Sequence, residues 1–127
     1  RILFDQGTPV PLRHALVGHS VSTTYEMAWT QLSNSELLLA AEKHFDVLIT
    51  TDQNLRHQQN TASYRIAILV LPTTNWPKIR SHQAEVAASV NRLRRGDFIE
   101  LSFKSGLHLS LIKPFRALRP APARAAE

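Results

Sequence analysis

Two apolar runs dominate the pattern of this chain. Val47-Leu48-Ile49 is short, β-branched at both ends, and broken off by the polar Thr50-Thr51-Asp52. Residues 66–71 form the most hydrophobic run in the chain. Continuous apolar stretches of this length are the pattern of strands covered on both faces, as in a parallel sheet. Ile2-Leu3-Phe4 repeats the motif in miniature and ends on Asp5. Residues 19–24 alternate through Val21 and Thr23 and predict another strand, and residues 97–103, with Phe98, Leu101 and Phe103, predict a last one.

Helical patterns lie between these runs. Residues 12–17 predict a short helix, with Pro9 and Pro11 at its start and Gly18 at its stop. Ser33 and Glu36 have the spacing of a capping box, and Leu37, Leu38, Ala40 and Ala41 carry an apolar face from there to His44. Trp76-Pro77 opens the longest predicted helix, which keeps Ile79, Val86, Val90 and Leu93 in helical spacing as far as Arg95, before Gly96. Residues 25–32 are ambiguous, and a short helix carrying Tyr25, Glu26 and Trp29 is the reading they allow. Residues 54–60 read as a short helix or a loop. Alternating strands and helices predict an α/β fold, a three-layer α/β/α sandwich with a mostly parallel central sheet.

Composition narrows the class. A chain of 127 residues with 43% apolar residues is long enough for one domain with a real core. The absence of cysteine excludes a disulfide framework and a Cys-based zinc site, and fits a reducing, cytoplasmic setting. No apolar run approaches the roughly 20 residues of a membrane helix, and the opening residues predict no signal peptide. The net charge of +5 has a particular location. Residues 103–127 hold five basic groups and one acid, whereas residues 1–102 hold ten basic and nine acidic groups. The expected organisation is therefore a nearly neutral domain over 1–102, followed by a basic Pro/Ala-rich tail over 103–127 with little core-forming pattern.

Candidate chemistry collects on three acids. Asp5 and Asp52 fall at strand ends, and in open α/β sheets the carboxyl ends of strands are where ligands bind. Glu36 heads the helix that precedes the Asp52 strand, so all three can face one rim of the sheet. Carboxylates crowded into a crevice repel one another unless a hard cation joins them, and Mg²⁺ or Mn²⁺ takes such oxygen ligands. Each acid also has a plain structural reading. Asp5 can cap the turn after it, Glu36 can serve only the capping box, and Asp52 can close an Asx-turn with Asn54.

Phe4-Asp5, the segment Ser35-Glu36-Leu37-Leu38-Leu39-Ala40-Ala41, and Leu48-Ile49-Thr50-Thr51-Asp52-Gln53-Asn54-Leu55 together resemble the PIN domain nucleases. The likeness is nearest to the compact PIN-like proteins of bacterial toxin–antitoxin systems, relatives of the VapC-type toxins, and it covers residues 1–102. It implies a ribonuclease that hydrolyses RNA phosphodiesters with Mg²⁺ or Mn²⁺. Asp5, Glu36 and Asp52 would be catalytic and metal-binding, and Asn54 would assist the metal. A small antitoxin partner and a tendency to form homodimers are implied as well. The chain departs from the family pattern in two places. It is short between the first strand and the Glu36 helix, where Glu26 is the only further acid. It also has Asn54 where many relatives carry a second Asp.

Weaker candidates for RNA contact are Arg56, His57 and Gln58 beside the acidic rim, and Tyr25, which can stack on a splayed base. The six histidines show no paired spacing for zinc. Two other classes stay open. One is a non-catalytic PIN-like module that acts through a partner protein or RNA. The other is a receiver-type domain phosphorylated on Asp52, with Thr73 or Thr74 and Lys104 in supporting roles.

Overall fold

The β-branched and aliphatic runs become the strands of a single sheet. A computed structural model describes residues 1–55 and 63–103, together with the backbone of 113 and 114. The strands are β1 (Ile2–Phe4), β2 (Val21–Thr23), β3 (Val47–Thr50), β4 (Ala67–Val70), β5 (Phe98–Glu100) and β6 (Lys113–Pro114). The sheet order is β2-β1-β3-β4-β5-β6. The first five strands are parallel, and β6 adds to the edge of β5 in antiparallel sense. The class is α/β with a mostly parallel sheet, as the alternation of patterns predicts. β6 belongs to the stretch assigned to the tail; the rest of that stretch beyond Phe103 lies outside the described residues, as do Arg56, His57, Gln58 and Lys104.

Both faces of the sheet are apolar, which is why its strands read as unbroken hydrophobic runs. Ile2, Phe4, Val47, Ile49, Ala67, Leu69 and Ile99 join one core cluster, together with Leu12, Leu16, Ile79, Val86 and Val90 from helical segments. The alternate positions Leu3, Leu48, Ile68, Val70 and Phe98 join a second cluster, with Leu38, Ala41 and Phe45. A strand turns successive side chains to opposite faces, so a period-2 register divides these residues between two cores. Leu3, Phe4, Ile49, Ile68 and Leu69 are wholly buried. Burial of each such side chain contributes about 1.5–3 kcal/mol.

The helices are α1 (Asn34–His44), α2 (Trp76–Ser81) and α3 (Gln83–Arg92), and a 3-10 helix spans Val10–Ala15. α1 begins as its sequence predicts. Ser33 is the N-cap, its Oγ accepts from Glu36 N at 3.3 Å, and Glu36 Oε1 accepts from Ser33 N at 2.8 Å.

Two helical expectations need correction. The single helix over 76–95 is two helices, broken at His82, whose backbone (φ −117°, ψ 18°) leaves the helical region. His82 stacks on Phe103 at 4.4 Å, and its Nδ1 lies 3.2 Å from Glu85 Oε1, contacts that hold the ring at the break. The buried Ile79, Val86 and Val90 keep to one core across it. Residues 25–32 form turns instead of a helix. There Thr23 and Glu26 bond reciprocally, N–H to side chain at 2.9 and 3.0 Å, and Ala28 takes a left-handed φ of 62° that no helix tolerates.

Candidate functional site at the β1/β3 rim

The strand order places a crevice. β1 connects to β2 on one side, and the chain then crosses back to lay β3 on the other side of β1. In doubly wound sheets the order 2-1-3-4-5 puts ligands outside the carboxyl ends of β1 and β3, where the direction of winding reverses. Asp5 follows β1 directly and Asp52 lies two residues past β3. Parallel register sets Phe4 against Ile49, which brings Asp5 beside Thr50.

Asp5 is held by hydroxyls. Thr50 Oγ1 donates to Asp5 Oδ2. Thr8 Oγ1 lies 2.8 Å from Asp5 Oδ1 and 2.9 Å from the Ile49 carbonyl, so its one proton is shared between them. Burial pushes the Asp5 carboxyl above the ordinary carboxylate range. The Thr50 and Thr8 hydroxyls and the nearby N–H groups of Gly7 and Thr8 pull against that rise without cancelling it.

Asp52 is held by a turn of its own making. Its Oδ1 accepts from Asn54 N at 2.9 Å, the Asx-turn that the sequence allows, and its own N–H donates to Thr50 Oγ1 at 3.0 Å. Thr50 therefore touches both acids through one oxygen. Asn34, the first residue of α1, adds Nδ2 at 3.4 Å from Asp52 Oδ2. Gln53 Nε2 donates to the carbonyls of Thr51 and Leu71 and ties the β3 loop to the end of β4. Gly7 sits so close to Thr51 Oγ1 that no Cβ fits between the two loops.

The other candidates have contacts of their own. The Glu36 carboxylate is engaged in the capping box. Glu26 accepts from Arg13 at 2.9 Å, and that bond holds its carboxyl below the usual range. Asn54 enters the rim through its main-chain N–H. Tyr25 is 82% exposed. Trp29 is half-buried against Phe45 and also lines an open cleft of about 150 Å³ beside Asp5. Gln6, Gly7, Thr24, Thr30, Leu32, Asn34 and Leu37 line the same cleft. Sequence reasoning passed over Asn34, which reads there only as a helix-start residue. Its signal was position: a polar residue next to an N-cap at the carboxyl rim.

Among the described residues, no group of three or more Asp, Glu, His or Cys side chains is arranged to hold a metal ion. Mg²⁺ keeps several waters and is usually bound through one or two carboxylates, with substrate phosphates completing its shell. Asp5 and Asp52 bring two carboxylates to this rim, each with hydrogen-bond donors of the chain on its oxygens. They do not make an all-protein cage.

The fold and the rim thus define an α/β protein with two strand-end acids at its winding reversal. Compared with protein-family models, curated proteins and solved structures, the chain matches none. Among the described residues, no helix is long and apolar enough to cross a membrane.

Proposed function

We propose that this chain is a Mg²⁺- or Mn²⁺-dependent ribonuclease of PIN-like type, with Asp5 and Asp52 as the residues that hold the cation. One observation carries the reading: the two acids follow neighbouring strands at the winding reversal, and the Thr50 hydroxyl joins the Asp5 carboxylate to the main-chain N–H of Asp52. A bound divalent cation supplies charge neutralisation at a phosphodiester and a more acidic water. The chain's own residues set the stage. Thr8 and Thr50 orient Asp5, the Asx-turn fixes Asp52, and Asn34 fastens the head of α1 to the same rim. Glu36 is assigned to the helix cap, and Asn54, which stands where the resemblance would place a second Asp, closes the Asp52 turn through its N–H. From the resemblance alone, the proposal extends to a toxin whose partner is a small antitoxin protein.

The test is cleavage of a fluorescent single-stranded RNA by the purified chain. Cleavage is expected with Mn²⁺, is abolished by chelator, and falls at least ~100-fold in Asp5→Asn and Asp52→Asn. Inertness of the wild-type chain with Mn²⁺, or full activity in both variants, defeats the reading.

A second reading is the non-catalytic module, and the engagement of Glu36 in the capping box favours it. It predicts RNA or partner binding that is indifferent to metal, with no cleavage. The strand order is also that of receiver domains. A phosphodonor that labels Asp52 would point there.

A further inference from the structure

We propose that Arg13 and Glu26 guard the open edge of β2 against pairing with a second copy of this chain. β2 is first in the sheet order and has a neighbour, β1, on one side only. Ser20 and Thr24 turn their main-chain groups toward β1. Ile2 N donates to the Ser20 carbonyl at 2.8 Å, and Thr24 N donates to the Phe4 carbonyl at 2.9 Å. Main-chain groups alternate sides along a strand, so those of Val21 and Thr23 face outward. An outward row of this kind is a template for another chain's strand. Three of these four groups are bonded by the chain itself. Arg13 Nη2 donates to the Val21 carbonyl at 3.3 Å, Thr23 N to Glu26 Oε1 at 2.9 Å, and Met27 N to the Thr23 carbonyl at 3.0 Å. Arg13 Nη2 also lies 2.9 Å from Glu26 Oε1, so one ion pair joins the cover from the 3-10 helix to the cover from the turn after β2.

This cover is destabilising in two places. Arg13 Nε is buried with no hydrogen-bond partner among the described residues, and a buried donor left unmet weakens a fold. Ala28, in the same turn as Glu26, holds its left-handed φ of 62° without being glycine. Sheets give up stability in this way at exposed edges to exclude wrong pairing. The excluded pairing has a definite register. Val21 of each copy lies opposite Thr23 of the other, and the pairs exchange main-chain bonds about a two-fold axis. The Thr23 carbonyl takes part because it keeps a second lone pair after accepting from Met27. The two Ser22 residues then face each other as a non-hydrogen-bonded pair, with Cα atoms about 4.5 Å apart, within the span of a disulfide.

The experiment uses that register. The chain has no cysteine, so Ser22→Cys supplies a single thiol. On this background the guard is left intact or removed by Arg13→Met with Glu26→Ala. Sedimentation velocity under reductant gives the dimer dissociation constant, and mild oxidation then gives the cross-linked fraction. Removal of the guard is expected to lower the dissociation constant by at least about tenfold and to bring in the Ser22→Cys cross-link. A guarded chain that dimerises yet cross-links only once the guard is removed supports the proposal too. Where the double variant loses its cooperative thermal melt, Arg13→Met alone, which keeps the buried stem and uncovers the Val21 carbonyl, is read in the same way. A chain without its guard that stays monomeric and uncross-linked overturns the proposal, as does a guarded chain that cross-links as readily.

Discussion

Glu36 has two readings, helix cap and metal ligand, and substitution there separates them. Its Oε1 accepts from Ser33 N at 2.8 Å, whereas the reciprocal bond from Glu36 N to Ser33 Oγ is long at 3.3 Å. The side chain of Glu36 is thus the stronger half of the box. Glu36→Ala removes that bond, worth about 0.5–1.5 kcal/mol. It also removes a negative charge at a helix N-terminus, worth about 0.3–1 kcal/mol. The expected loss is ~1.5 kcal/mol, or a fall in Tm of about 5 °C for a chain of this size. Glu36→Gln keeps the acceptor and loses only the charge, so its Tm should fall by about 2 °C. Thermal melts followed by circular dichroism give both numbers, and the RNA assay is run on the same samples. A residue that only caps leaves cleavage by Glu36→Gln near the wild-type level. If Glu36→Gln melts as low as Glu36→Ala, the capping bond is not what Glu36 contributes. If it melts normally but loses cleavage, its carboxylate belongs to the active site and the assignment to the cap is refuted.

Thr50→Val removes the donor to Asp5 and the acceptor for Asp52 N, at a cost of about 1–3 kcal/mol in urea denaturation, and Thr50→Ser restores most of it. Gly7→Ala drives a Cβ into Thr51 and should cost about 1–3 kcal/mol. Pairing it with Thr51→Ala should recover at least ~0.5 kcal/mol in a double-mutant cycle, and strict additivity would refute the contact. The raised Asp5 carboxyl means that the fold holds this proton more tightly than the unfolded chain does. Its contribution to stability is complete below the unfolded value and is lost as pH rises through the folded one. Urea melts between about pH 3 and 7 should show that slope for the wild type and a flatter profile for Asp5→Asn; equal slopes would refute the assignment.

The strands were legible because two-sided burial leaves an unbroken apolar run, as in Leu48-Ile49 and Ile68-Leu69, whose members go to opposite cores. The start of α1 was legible because a capping box is local, three residues from Ser33 to Glu36. The break at His82 was not, since it is held in part by Phe103, 21 positions further along the sequence. Residues 25–32 yielded no period because Ala28 is left-handed and no glycine marks the place. At the rim, Asp5 and Asp52 were readable as strand-end acids. Their joint attachment to Thr50 was not, because it depends on which strand lies beside β1, and only the sheet order supplies that. Trp29 shows the same limit: its segment is ambiguous in the sequence, and it packs on Phe45 while it lines the cleft.

The two halves of the rim differ in the range of chain that holds them. The bonds that shape the Asp52 turn join residues two positions apart, from Asn54 to Asp52 and from Asp52 to Thr50. The Asp5 half depends on Thr50, 45 residues away. Short-range contacts close with little loop entropy and form early, whereas a closure of that length waits for tertiary structure. The Asp52 turn therefore has a local nucleus, which Asn34 and Gln53 tie to α1 and to the end of β4, and Asp5 reports whether β1 has docked. With only three residues in β1, a local opening of that strand would disperse the acidic pair while its partner turn stayed formed.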